Sequence, residues 1–227
     1  MVNIKQLIWC NSYLGSTRKL WNNNMSFFII GHKFDVFFLN LTYINFLLLK
    51  SLSIIKKLSK KKKKIIFIIP TLVLKKSKFL KRKKPLKYIF DNLKKLSIIT
   101  MTTWVFGLLT NFKRVNKEYK IIPISILPVA IFVLINKITD DFDYLNIVRE
   151  ANRLNIISFG LVDTNQNPLV FDYPILANSK AFETTSFFYR FFVSYLYICN
   201  LKIRSNFYNN LLFFYRSQKK RIIKNLI

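Results

Sequence analysis

Residues Arg153–Asn178 read RLNIISFGLVDTNQNPLVFDYPILAN. The stretch passes from a helix end through a buried strand and a long turn to a second extended piece. Asn155 follows the apolar residue Leu154, and asparagine is the usual non-glycine choice for the left-handed position that ends a helix. Ile156–Val162 is apolar apart from Ser158, of strand length and β-branched at both ends. Asp163, Thr164 and Asn165 then supply turn-forming side chains. Pro168 and Pro174 each force the residue before them into an extended conformation. The pattern predicts a parallel strand ending at a polar rim, where α/β proteins keep their functional loops.

Working outward, Leu145, Val148, Ala151 and Leu154 form a helix face upstream, with Thr139, Asp140 and Asp141 as helix-start residues. Buried strands are expected at Val129–Ile135, Ser97–Met101 and Ile65–Ile69. Pro85 opens a helix whose face is Leu86, Ile89, Phe90, Leu93 and Leu96. Another helix follows from Leu41, Ile44, Leu48, Leu52, Ile55 and Leu58 at three- and four-residue spacing. Ile29–Gly31 and Val36–Leu39 read as short extended pieces, and Asn11–Met25 as a loop wrapping the domain. Downstream, Asn178 caps a long helix carrying Ala181, Thr185, Phe188, Phe192, Tyr195 and Cys199 on one stripe. Strand and helix alternate, which predicts an α/β fold: a three-layer, doubly wound parallel sheet with helices on both faces. We expect one domain over residues 1–200 with an N-terminal wrapping loop, and a basic tail over 201–227 holding Lys219, Lys220, Arg221 and Lys224.

Charge sets the class of partner. The 227 residues carry 38 Lys and Arg against 10 Asp and Glu, a net charge of +28. Such a charge repels itself unless a polyanion neutralises it, so nucleic acid or an anionic membrane is implied. A merely solvated surface would mix the signs. Lys, Ile, Asn, Phe and Leu crowd every segment, as in a chain drifting under A+T-rich coding. Cys10 and Cys199 lie far apart, without metal or disulfide spacing. His32 is the one histidine, so no second imidazole can complete a metal or catalytic pair. Gly15, Gly31, Gly107 and Gly160 are never clustered into a phosphate loop. Met1–Leu7 lacks the charged start and apolar run of a signal peptide. Val36–Leu49, interrupted by Asn40 and Asn45, is shorter than the ~20 apolar residues of a membrane span. No cofactor, metal or small-molecule substrate is expected. Two other classes stay open on the residues alone: a nucleotide-binding flavodoxin-like enzyme and a basic membrane-associated protein.

Three ordered motifs carry a resemblance. Val162-Asp163-Thr164-Asn165, Pro168, Asp172-Tyr173-Pro174-Ile175 and Asn178, with the preceding Ile147–Leu154 helix, resemble the small-subunit ribosomal protein two family. Trp104-Val105-Phe106-Gly107-Leu108-Leu109-Thr110-Asn111-Phe112 resembles that family's W-x-x-G-x-L-T-N-F motif, with Phe106 in place of a glycine. Gly15, Trp21, Asn22 and Met25 match its glycine loop and W-N-P-x-M, but Tyr13 and Ser16 stand where histidines are usual and Asn23 where proline is. After Asn111 the family's long helical hairpin has no room before Pro123 and is expected to be lost. The resemblance implies the same three-layer, flavodoxin-like fold. It further implies a structural, non-enzymatic protein bound to small-subunit ribosomal RNA and to neighbouring ribosomal proteins. The drifted motifs, the lost hairpin and a motif too near Met1 for a cleavable presequence point to organellar translation, on a mitochondrial ribosome in the matrix, with a plastid or a reduced bacterium as the alternatives.

Candidate RNA contacts follow. Arg18 and Lys19 flank the first motif, whose Trp21 and Asn22 are included. Lys60, Lys61, Lys62, Lys63 and Lys64 run directly into the strand Ile65–Ile69. Five exceed what a helix dipole can use, so phosphate contact is expected. Lys75, Lys76, Lys78, Lys81, Arg82, Lys83 and Lys84 follow the same strand. Thr110, Asn111, Lys113 and Arg114 complete the set, while Trp104 reads as a core or lid aromatic and Asp163 as a turn-stabilising acid.

Overall fold

The computed structural model describes residues 4–60, 64–69, 98–102, 104–119, 127–134 and 144–200. Five parallel strands form the main sheet: β4 (Ile65–Ile68), β5 (Ile98–Met101), β6 (Ala130–Val133), β7 (Ile157–Val162) and β8 (Tyr173–Leu176). Their spatial order is β5-β4-β6-β7-β8. That is the flavodoxin-like order, reversing direction between β4 and β6. Every residue of β4 and of β6 is buried, as expected of central parallel strands covered on both faces.

One face carries an aromatic ladder. Phe67, Phe132, Phe159 and Tyr173 sit in register on four neighbouring strands. Their ring centroids are spaced by 4.4, 4.4 and 5.1 Å. Helix α5 (Phe182–Asn200) closes this face, bringing Tyr189 to 5.8 Å from Phe67 and Phe192 to 5.2 Å from Phe132. Helix α2 (Leu41–Lys60) packs on α5 and along β8, burying Ile44, Leu48, Leu52, Ile55 and Leu58. Asn40 caps it, Oδ1 accepting from the backbone N of Thr42 at 3.0 Å. Gly160 follows Phe159 and so faces the other side. There the Phe171 ring lies where a Cβ would stand and stacks on Tyr144 of helix α4 (Tyr144–Arg153). Helices thus cover both faces, in three layers.

A second, antiparallel sheet precedes the first: β1 (Leu14–Thr17), β2 (Ile29–Lys33) and β3 (Val36–Leu39), ordered β1-β3-β2. The stretch Asn11–Met25 is therefore not the loop its composition suggests. It holds β1 and two 3₁₀ turns, because Leu14 and Thr17 find partners in Phe38 and Val36. Helix α1 (Ile4–Trp9) lies ahead of it, burying Leu7.

Two helix faces also differ from the periodic reading. On α4 the buried residues are Ile147, Val148, Glu150 and Ala151, whereas Leu154 is exposed and Leu145 half-buried. The buried acid belongs to a loop clamp described below. On α5, Thr185, Phe188 and Phe192 are buried as expected, but Tyr189, Val193 and Leu196 join them while Tyr195 and Cys199 stay half-buried. Packing on both α2 and the sheet spreads burial over more than one stripe. Asn178 caps the approach to α5, Oδ1 accepting from the N of Lys180 and of Ala181 at 3.1 Å each. Asn155 ends α4 with φ of 53°. A short helix, α3 (Phe112–Tyr119), follows the Trp104 motif, and residues 120–126 after it lie outside the described residues. The helix after Pro85, the start at Thr139–Asp141 and the tail 201–227 lie outside the described residues. Among the described residues no helix is long and apolar enough to cross a membrane.

Phe132 touches rings on both sides and above. Phe132→Ala is expected to cost about 3–5 kcal/mol. Urea unfolding followed by circular dichroism checks this; a loss below about 1 kcal/mol would mean that the ladder contributes little.

Candidate nucleic-acid interface

The carboxyl rim of the sheet is closed by the chain itself. The residue after β7, Asp163, is fully buried. Its Oδ1 accepts from the N and Oγ1 of Thr164 at 2.6 and 3.2 Å, and its Oδ2 from Ser16 Oγ at 3.0 Å. Thr164 grips the N-terminal segment twice: Oγ1 accepts from Ser16 N at 2.7 Å, and its carbonyl from Asn22 N at 2.8 Å. Gly15 passes so close that a Cβ there would run into the Thr164 side chain. Between the two anchors, Thr17, Arg18, Lys19, Leu20 and Trp21 are all exposed.

Glu150 performs the matching task for the Trp104 motif. Its Oε1 accepts from Gly107 N at 2.8 Å and Trp104 Nε1 at 3.4 Å, its Oε2 from Leu109 N at 3.0 Å. Gly107 takes φ of 78°, which glycine tolerates without a Cβ penalty. The clamp leaves Thr110 and Asn111 at the exposed end of the turn, with exposed Lys113 and Arg114 following on α3. A third acid, Asp172, accepts from Ser158 N and Oγ at 2.8 and 2.9 Å, while its own N donates to Ser158 Oγ at 3.1 Å. Three of the scarce acids thus accept from backbone N–H groups, Asp163 and Glu150 from buried positions and Asp172 from an exposed one.

The anticipated contact residues fall into separate places. Arg18, Lys19 and Trp21 cluster on the N-terminal segment. Asn22 is half-buried, its Oδ1 accepting from Asn24 N at 2.9 Å. Thr110, Asn111, Lys113 and Arg114 follow β5, three strands from β7, or roughly 14 Å at the usual strand spacing. Lys60 ends α2, and half-buried Lys64 enters β4 at the opposite, amino edge of the sheet. Lys61, Lys62, Lys63, Lys75, Lys76, Lys78, Lys81, Arg82, Lys83 and Lys84 lie outside the described residues. Sequence reasoning missed Ser16, Thr164 and Glu150 as clamp residues. Glu150 had a signal, its place inside a motif; Ser16 had none, reading only as a departure from histidine. Among the described residues no group of three or more His, Cys, Asp or Glu could hold a metal.

Strand order and clamps together define a doubly wound α/β protein whose rim is occupied by its own N-terminal segment. The chain belongs to the ribosomal protein S2 family, whose model matches residues 7–125 and 120–195. Among curated relatives, the small ribosomal subunit protein uS2 of Parabacteroides distasonis is 25% identical, covering 79% of this chain and 73% of its own length. The uS2 of Buchnera aphidicola is 27% identical over 83% of this chain and 92% of its own. A protein named uS2m, from Acanthamoeba castellanii, is 25% identical over 99% of this chain and 67% of its own length.

Burial pushes the Asp163 carboxyl above its usual range, against its hydrogen bonds and the charge of Lys180. A carboxyl raised on folding stabilises fully below about pH 4, its ordinary value, and loses that contribution as pH rises through the folded value. Asp163→Asn should therefore remove a decline in stability that the natural chain shows above about pH 4. Urea midpoints measured from pH 4 to 7 check this, and parallel curves for the two chains would contradict it.

Proposed function

We propose that this chain serves as a structural constituent of the small ribosomal subunit of a mitochondrion, held there by ribosomal RNA and neighbouring ribosomal proteins. The family match, spanning all three motifs in order, carries the ribosomal part of this reading. As a member of that family the chain is a structural ribosomal protein and not an enzyme. The mitochondrial part rests on the uS2m relative, which spans nearly the whole chain, and on the drifted, lysine-rich composition. Bacterial relatives are equally similar.

RNA contact by Arg18, Lys19, Trp21, Thr110, Asn111, Lys113, Arg114 and the lysine runs is supported by the net charge of +28. It is supported too by exposure of Arg18, Lys19, Trp21, Thr110, Asn111, Lys113 and Arg114. Lys64 and the Thr110 turn mark opposite edges of one sheet, so RNA touching both would wrap the domain rather than line one side.

Sedimentation tests this reading. The tagged chain should migrate with the small subunit of an organelle lysate in moderate salt, and its appearance with lipid after flotation would contradict it. Replacing Lys61, Lys62, Lys63 and Lys64 by Gln should flatten the salt dependence of RNA binding by two to four contacts' worth, each with a log–log slope of about −0.7 to −0.9. An unchanged slope, with normal circular dichroism, would remove this run from the interface.

A further inference from the structure

The two-residue loop joining β2 and β3 breaks a local rule. Lys33 pairs with Val36, leaving Phe34 and Asp35 as the loop. Both take positive φ, 48° and 59°. A hairpin turn of this kind prefers asparagine or glycine, because a bulky side chain is strained in the left-handed region. Phe34 nevertheless occupies it without gaining burial: the residue is 88% exposed. A residue that violates local preference without gaining burial marks a functional position more often than a structural one.

Its surroundings say what kind of function. Lys33 Nζ stands 5.2 Å from the Phe34 ring centre. Arg18 N donates to the Asp35 carbonyl at 2.8 Å, which ties the exposed Arg18–Trp21 segment to the hairpin tip. Next along the sheet, His32 and Trp21 both pack on Phe37, at 5.9 and 5.6 Å. His32 and Trp21 are themselves exposed. Exposed aromatic rings are therefore interleaved with Arg18, Lys19 and Lys33, against the single acid Asp35. Rings offer stacking faces and cations offer phosphate contacts, the combination that binds single-stranded nucleic acid.

We infer that Phe34 at the hairpin tip is a stacking platform for an unpaired RNA base, with Lys33 and Arg18 holding the flanking phosphates. The inference rests on the ribosomal reading above and deepens it, assigning this surface to single-stranded rather than duplex RNA. A duplex keeps its bases stacked inside and gives Phe34 no face to meet.

The test uses the full chain, a 12-nucleotide oligouridine and a 12-base-pair RNA duplex. Phe34→Ala should weaken oligouridine binding roughly 5- to 150-fold and leave its salt slope unchanged, since stacking is lost and no phosphate contact is. Duplex binding should not change, and Phe34→Trp should restore the oligouridine affinity. Phe34→Asn relieves the backbone strain, so it should raise the melting temperature while still losing affinity. Equal affinity of the Ala variant for oligouridine, or equal loss on both RNAs, overturns the inference. So does normal oligouridine binding by an Ala variant that no longer joins the small subunit, which would make Phe34 a protein contact. Failure of the natural chain to co-sediment, with Phe34-dependent oligouridine binding intact, would instead overturn the ribosomal reading alone.

Discussion

Thr164 is held from two sides by the N-terminal segment, and much of the surface follows from that grip. Ser16 N reaches its hydroxyl and Asn22 N its carbonyl. Both bonds are made next to a buried carboxylate that also accepts from Ser16 Oγ. In an open α/β sheet the carboxyl rim is where a ligand would settle. Here, beyond β7, the chain's own backbone settles there. The segment between the anchors must then stand away from the rim, and it carries Arg18, Lys19 and Trp21 into solvent. The small sheet extends that exposure to the hairpin tip.

Two acids, Asp163 and Glu150, are buried to serve backbone. With 10 acidic residues against 38 basic ones, a carboxylate on the surface would weaken attraction to a polyanion. Asp163 and Glu150 instead accept, from buried positions, from backbone N–H groups that a buried or half-buried loop must satisfy somewhere, and exposed Asp172 makes a bond of the same kind to Ser158 N. Charge-assisted bonds of this kind are the stronger ones. Those of Asp163 and Glu150 each close a turn belonging to one of the motifs. The arrangement fixes the turns while taking two carboxylates off the surface.

Much of this was legible in the sequence because it lies in local chemistry. The apolar runs at Ile65 and Ala130 could only be buried strands, and Asn155 and Asn178 announced helix boundaries by side-chain type. The parallel strand ending at Asp163 followed from the turn residues after it. What was not legible depends on distant partners. β1 is a strand because Phe38 and Val36 lie beside it, and nothing in LGST says so. Glu150 is buried on a helix face because a loop about forty residues earlier needs an acceptor. Ser16 became half of a clamp only once Thr164 was placed against it. The aromatic ladder, likewise, needed the register of four strands.

The most direct measurement is amide hydrogen exchange at Ser16 and Asn22 in the folded chain. If the N-terminal segment closes the rim, both amides should exchange as slowly as those of β7. Replacing Thr164 by Val, which removes the hydroxyl with its bonds to Ser16 N and Asp163 and keeps the backbone carbonyl, should release Ser16 while Asn22 stays protected by the carbonyl. Rapid exchange at both amides in the natural chain would contradict the account, because the rim would then be open and the segment merely lying near it.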